Sequence, residues 1–130
     1  MSYESELVHS GAYEQAARVQ SGDVSARELV AETLKRIDEV NPRSNAFRAV
    51  CHDAAMAQAA EVDERAAGEP LPMRGLPVGI KDNIDVEGEL TTYGVDGQRH
   101  VAAAGLCGVA LGSDGLGSIR VPSAFNGCSA

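Results

Sequence analysis

A serine directly after a glycine-rich turn is the first place in this sequence where residue type and spacing suggest chemistry. Residues 112–122 read Gly-Ser-Asp-Gly-Leu-Gly-Ser-Ile-Arg-Val-Pro, so Ser118 follows Gly115, Leu116 and Gly117. Glycines let the backbone take positive φ and approach a ligand closely. Successive N–H groups in such a turn form a concave nest of donors. A hydroxyl beside that nest is one half of an acyl-transfer site, because the tetrahedral intermediate needs donors aimed at its oxyanion. Two other readings compete. A Gly/Ser-rich turn is most often a plain loop. A Walker-type phosphate cradle ends in Gly-Lys-Ser/Thr, whereas Gly117 precedes Ser118 and no lysine lies nearby.

The second segment with chemical content is residues 75–94. It reads Gly-Leu-Pro-Val-Gly-Ile-Lys-Asp-Asn-Ile-Asp over 75–85, then Gly88 and Thr91-Thr92-Tyr93-Gly94. Residues 77–80 read as a buried strand with Lys81 at its end. A lysine there is usually a solvated charge. In the functional reading it lies inward and works as a base, and burial away from carboxylates favours its neutral form. A base is what Ser118 lacks, since a hydroxyl is a weak nucleophile until a neighbour takes its proton. Asp82 and Asp85 would oppose a neutral Lys81 if they faced it. Side chains alternate in an extended segment, so Asp82 is expected to point the other way. Neither segment holds a histidine, and His9, His52 and His100 are scattered and read as surface residues.

Residues 75–85, followed by Thr91-Thr92-Tyr93-Gly94, resemble the lysine motif of the amidase signature family. Residues 112–127 resemble that family's serine-rich signature, including Ser118-Ile119-Arg120, Pro122 and Gly127. The resemblance extends upstream to about Ser25, through Asn41-Pro42, Asn45-Ala46-Phe47 and Gly68-Glu69-Pro70-Leu71. It implies an enzyme that hydrolyses or transfers a small-molecule amide through a serine–serine–lysine arrangement, with no metal or organic cofactor. Ser118 would be the nucleophile and Lys81 the ultimate base. Backbone N–H groups around Gly115, Leu116 and Gly117 would form the oxyanion hole, and Asp114 and Arg120 would brace the loop.

The sequence also departs from that pattern. The family carries a second, bridging serine in a Gly-Ser-Ser-Gly-Gly-Ser stretch, and this chain has no such stretch. Thr91-Thr92-Tyr93-Gly94 instead passes through residues 95–100 into Val101-Ala102-Ala103-Ala104-Gly105, as if an internal block had been removed with a junction near residues 98–101. The family also continues beyond the point matched by Ala130. Leu116 stands where a glycine is usual, and its Cβ opposes the positive φ that would aim an N–H inward. Thr92 and Ser113 are the two hydroxyls that can stand in for the bridging serine. Two further readings follow: a catalytically inactive truncated remnant, or a fragment of the amidotransferase subunit that supplies ammonia for amidating charged tRNA.

These residues need elements to hold them. Residues 13–20 suit a short helix that stops at Ser21-Gly22-Asp23. Ser25-Ala26-Arg27-Glu28 fits a capping box, and Leu29, Val30, Leu34, Ile37 and Val40 follow as an apolar stripe of helical period. Asn41-Pro42 is expected to end that helix, because proline disfavours the α conformation in the residue before it. Residues 46–51 suit a short strand. Asp53 is a candidate cap for an alanine-rich helix over 54–67 that stops at Gly68. Residues 68–77 hold three prolines and read as a connector. Glu87-Gly88-Glu89 is a turn, residues 101–106 a short helix, and residues 108–111 a short buried strand feeding the Ser118 turn. The fold class is α/β: N-terminal helices packed on a small mixed sheet, forming over residues 1–130 one partial domain of the larger amidase signature fold. Exposed sheet edges are expected.

Composition narrows the classes. The 130 residues carry 11 basic and 19 acidic side chains, a net charge of −8, which argues against direct binding to a nucleic-acid backbone. Much of the apolar share is alanine, which buries little area, so a thin core is expected. Cys51, Cys107 and Cys128 are odd in number and widely spaced, which suits free thiols in a reducing compartment better than a disulfide framework or zinc site. The first residues have no basic, apolar leader, and no apolar run approaches a membrane span. A cytoplasmic protein of unspecified oligomeric state is expected.

Overall fold

The computed structural model describes residues 3–65, 71–92 and 106–115. Four helices come first, α1 (Tyr3–His9), α2 (Ala12–Ser21), α3 (Ala26–Ser44) and α4 (His52–Glu64). Two short strands follow, β1 (Val78–Ile80) and β2 (Val109–Leu111). The strands pair in parallel, with Val78 opposite Val109, Gly79 opposite Ala110 and Ile80 opposite Leu111. The α/β class holds, and the described pairing is parallel.

Helix α3 begins where its capping chemistry puts it. Ser25 Oγ accepts from the Glu28 N–H at 3.1 Å, and the Ser25 N–H donates to the Glu28 carboxylate at 2.8 Å. The Ser25 N–H, together with the Ser25 hydroxyl donating to the same carboxylate at 2.8 Å, holds the Glu28 carboxyl below the usual carboxylate range. The N–H groups of Ala26 and Arg27 donate to the Asp63 carboxylate at 2.7 and 3.1 Å. The donors that a helix start leaves without an intrahelical partner are thus satisfied in part by the last turn of α4. Arg74 closes that same turn, donating to the carbonyls of Val62 and Arg65 at 3.0 and 2.6 Å.

The end of α3 differs from the sequence expectation. The helix runs to Ser44 with Pro42 inside it. Pro42 lies in the last turn, where its missing N–H forfeits a single bond. Termination falls to Asn45, which takes a left-handed φ of 48° and donates its N–H to Asn41 O at 2.8 Å. Asn41 then clasps Phe47 at both backbone groups, its amide donating to Phe47 O at 3.0 Å and accepting from the Phe47 N–H at 2.8 Å. Those groups are no longer available to a ladder, and residues 46–51 form no strand.

Helix α4 starts at His52, and its N-cap Cys51 offers no side-chain cap bond. Asp53 therefore does not cap it; it sits in the first turn, where a carboxylate suits the positive end of the helix. The expected stop at Gly68 lies outside the described residues. Helix α2 ends as expected, at Gly22 with φ 81°. Helix α1 has no counterpart in the sequence reading. Seven residues do not hold a helix alone, and buried Gln15 supplies the tertiary support by donating to the carbonyls of Leu7, Val8 and Ser10.

The main core joins Leu7, Val19, Val24, Ala26, Leu29, Val30 and Ala59. Ala26 and Ala59 bring little area, and their small size lets α3 and α4 close on each other. A second cluster joins Ile37, Ala46 and Leu106. The strands are not the buried segments that their apolar residues suggest. Gly79 is buried, yet Val78, Ile80 and Leu111 are 48, 43 and 52% exposed. Parallel sheets normally have both faces covered, and the described residues leave these side chains on an open face. The helix expected at 101–106 falls outside the described residues except for Leu106, which is buried at a bend.

Candidate active site

Parallel pairing carries the ends of β1 and β2 to the same edge of the sheet. Such carboxyl-terminal edges are where open α/β sheets place their ligands. Lys81 follows β1 directly, and its N–H donates to Leu111 O at 2.8 Å. Gly112 and Ser113 follow β2. Lys81 Nζ lies 3.1 Å from Ser113 O and 3.4 Å from Ser113 Oγ. Asn83 Nδ2 donates to the same hydroxyl oxygen at 2.6 Å. One side chain from the loop after β2 thus meets two from the turn after β1, a turn closed by the Ile84 N–H on Lys81 O at 3.0 Å.

Asp82 faces a different set of partners. It accepts from the Thr92 N–H at 3.2 Å, from the Thr92 hydroxyl, and from Arg48 Nε at 3.3 Å. The Thr92 hydroxyl is the main cause that holds the Asp82 carboxyl below its ordinary range, with the Arg48 guanidinium adding to it. Arg48 also donates to Leu90 O, which ties the turn to the segment after α3. Asp85 accepts from the Thr91 hydroxyl at 2.7 Å. Both carboxylates next to Lys81 in sequence therefore have partners of their own. The two candidate substitute hydroxyls separate in the same way: Thr92 is committed to Asp82, and Ser113 lies at the lysine.

Asp114 is half-buried and Gly115 exposed on the far side of Ser113. Leu116, Gly117, Ser118 and Arg120 lie outside the described residues, as do residues 93–105. His9 and His52 are exposed, and the His52 ring rests 3.0 Å from the Asp38 carboxylate, away from Lys81. His100 lies outside the described residues. Three residues escaped the sequence reading. Asn83 gave no signal that alternation along a strand could read, because the segment after Lys81 is a turn, closed by the Ile84 N–H on Lys81 O. Arg48 gave no local signal. Gly75, the first residue of the lysine motif, has φ +71°, and a Cβ there would meet Ala26 Cβ at 2.9 Å and Val19 Cγ1 at 3.0 Å. It lets the chain pass tightly over α2 and α3 on its way to β1.

Among the described residues, no group of three or more His, Cys, Asp or Glu is placed to hold a metal ion. No described helix is long and apolar enough to cross a membrane. Comparison with known proteins adds the following. The family model described as Amidase matches residues 28–103. Over 77 residues the chain is 52% identical to a glutamyl-tRNA(Gln) amidotransferase subunit of Synechococcus sp. (strain CC9605), covering 58% of this chain and 16% of that protein. Over 184 residues it is 30% identical to "Putative amidase AmiB2" of Mycobacterium tuberculosis (strain ATCC 25618 / H37Rv), covering 94% of this chain and 40% of that protein. That alignment is longer than the chain itself, so it spans positions of the relative that have no counterpart here. The chain spans well under half the length of these relatives. No solved structure matches it. Its motifs, its α/β architecture and these matches together place the chain in the amidase family.

Proposed function

We propose that this chain carries an amide-hydrolysing site with Ser118 as nucleophile and Lys81 as ultimate base. The observation that carries the proposal is the contact of Lys81 Nζ with Ser113 O at 3.1 Å. It joins the lysine motif to the serine motif five residues before Ser118. Attack of the Ser118 oxygen on a carboxylic amide gives a tetrahedral oxyanion, which N–H groups of Gly115, Leu116 and Gly117 would stabilise. Asp114 and Arg120 brace that loop. Collapse releases an amine or ammonia and leaves an acyl-enzyme, and water then frees the acid. The substrate is a small-molecule amide, and neither metal nor organic cofactor takes part.

In this reading residues 1–130 are a partial amidase domain with an internal junction near 98–101. An alignment longer than the chain supports that view. Free thiols at Cys51 and Cys107 support a reducing, cytoplasmic setting. Two other readings each have an observation of their own. The missing Gly-Ser-Ser-Gly-Gly-Ser stretch favours an inactive remnant. The 52% identity to an amidotransferase subunit favours a fragment of such a protein, with protein partners, and the charge of −8 lends no support to direct tRNA contact.

A fluorophosphonate probe tests the proposal. A single adduct by intact mass, absent in Ser118→Ala, is the expected result, together with amide turnover lost in Ser118→Ala and Lys81→Ala. No adduct under conditions that label a full-length relative would favour the remnant.

A further inference from the structure

We propose that Arg48 is a positioning residue for Lys81: from outside both signature motifs, its guanidinium pins the two ends of the loop that follows the lysine. Its bearing on catalysis rests on the amidase reading above; its hold on the lysine does not. Residues 82–92 contain neither helix nor strand. Hydrogen bonds leave this segment in two directions. On one side the Lys81 N–H reaches Leu111 O, and Lys81 Nζ and Asn83 Nδ2 reach Ser113. On the other side stands Arg48. Its Nε donates to Asp82 Oδ1 at 3.3 Å, and its Nη2 donates to Leu90 O. Asp82 adjoins Lys81 and Leu90 lies near the far end, so one planar side chain closes the loop across its base. Glu89 adds a second link to the same segment: its carboxylate lies 4.0 Å from Arg48 Nη2 and accepts from Cys51 Sγ at 3.4 Å.

Arg48 can serve as a fixed point because its own backbone is held. Asn41 binds both backbone groups of Phe47, and Phe47 and Val50 pack against the cluster of Ile37, Ala46 and Leu106. Leu106 lies three residues before β2 begins at Val109. The frame that fixes Arg48 is therefore tied to the strand that ends at Ser113, and Lys81 is set between the two. A guanidinium suits this task because its donors are fixed in one plane and hold two acceptors at once, whereas an ammonium is a point charge on a flexible stem. The Arg48 and Asp82 side chains are 33 and 13% exposed. An ion pair this near the surface adds little to folding stability. Its main effect is to select one position for a loop that has no ladder of its own. Position is what a base needs, since a displacement of about 1 Å can slow a reaction about 100-fold.

The chain has two lysines, Lys35 and Lys81, so ε-carbon-labelled lysine gives two side-chain NMR signals, with exposed Lys35 as internal reference. Arg48→Gln is expected to melt close to the wild-type chain, and all readings are taken well below the melt of each variant. In Arg48→Gln the Lys81 signal should move towards that of Lys35, which itself stays. The rate of fluorophosphonate labelling should fall by up to about 100-fold. Arg48→Lys keeps the charge and loses the fork, so it should restore little of either. Asp82→Asn should also move the Lys81 signal, and its combination with Arg48→Gln should move it by less than the sum, because both remove the same hold. A Lys81 signal unchanged in Arg48→Gln would overturn the proposal. Full recovery in Arg48→Lys would overturn it too, because charge without the fork would then suffice. No labelling of the wild-type chain, with a Lys81 signal that does respond to Arg48→Gln, would overturn the amidase reading and leave the hold of Arg48 on Lys81 standing.

Discussion

Replacing Gly75 by alanine should destabilise the protein more than the same change at two other glycines of nearly equal backbone conformation. Gly75, Gly22 and Gly88 have φ of 71°, 81° and 85°. An L-residue in this left-handed region costs about 1–2 kcal/mol, and that strain is common to all three. The surroundings differ. Nothing lies within 4 Å of a Cβ built on Gly22 or Gly88, whereas the Cβ on Gly75 meets Ala26 Cβ at 2.9 Å and Val19 Cγ1 at 3.0 Å. Both contacts sit in the core between α2 and α3 and cannot swing aside as a long side chain would. Overpacking of this kind adds about 1–3 kcal/mol, so Gly75→Ala should cost about 2–5 kcal/mol and each control about 1–2. Urea unfolding followed by far-ultraviolet circular dichroism reads the difference through the midpoint at constant slope. A cycle with Ala26→Gly sharpens the test: removing the opposing methyl should return part of the Gly75→Ala loss, although Ala26→Gly alone is destabilising. Equal costs at the three glycines, or strict additivity with Ala26→Gly, would refute the packing argument.

Other outcomes follow from the same structure. Ser25→Ala and Asp63→Ala each remove acceptors from the start of α3 and should each cost about 1 kcal/mol in urea unfolding. Leu29→Ala empties a fully buried position and should cost about 2–5 kcal/mol by the same assay. The Asp82 carboxyl is held below its ordinary range, chiefly by the Thr92 hydroxyl. Its stabilising effect is therefore fully present above the ordinary aspartate value of about 3.9 and is lost as pH falls through the lower, folded value. Thermal melts between neutral and strongly acid pH should show a smaller acid loss in Thr92→Val and in Asp82→Asn than in the wild-type chain.

Much of the helical layer was legible because its signals are local. The Ser25–Glu28 box lies within one turn and appears as the sequence predicts. Gly22 ends α2 because only glycine takes φ 81° without strain. Asp82 takes partners other than Lys81, as expected, but it does so from a turn closed by the Ile84 N–H on Lys81 O and not by alternation along an extended chain. Local signals failed where a distant or competing group took over. Pro42 was tolerated because it fell in a last turn that Asn45 could close. Residues 46–51 have strand-like composition, yet Asn41 uses the backbone groups of Phe47. Helix α1 exists because Gln15 holds its carbonyls from the next helix.

By itself the sequence determined the start of α3, the end of α2 and the position of Lys81 at a strand end. Each depends on residues within about a turn of one another, where capping, φ preference and side-chain period act directly. Only the tertiary structure decided which hydroxyl meets the lysine. Ser113 lies 32 positions from Lys81, and no local preference acts over that separation. The parallel register of Ile80 on Leu111 brings Lys81 and Ser113 to one edge, and Asp82 draws Thr92 away to the other side of the chain.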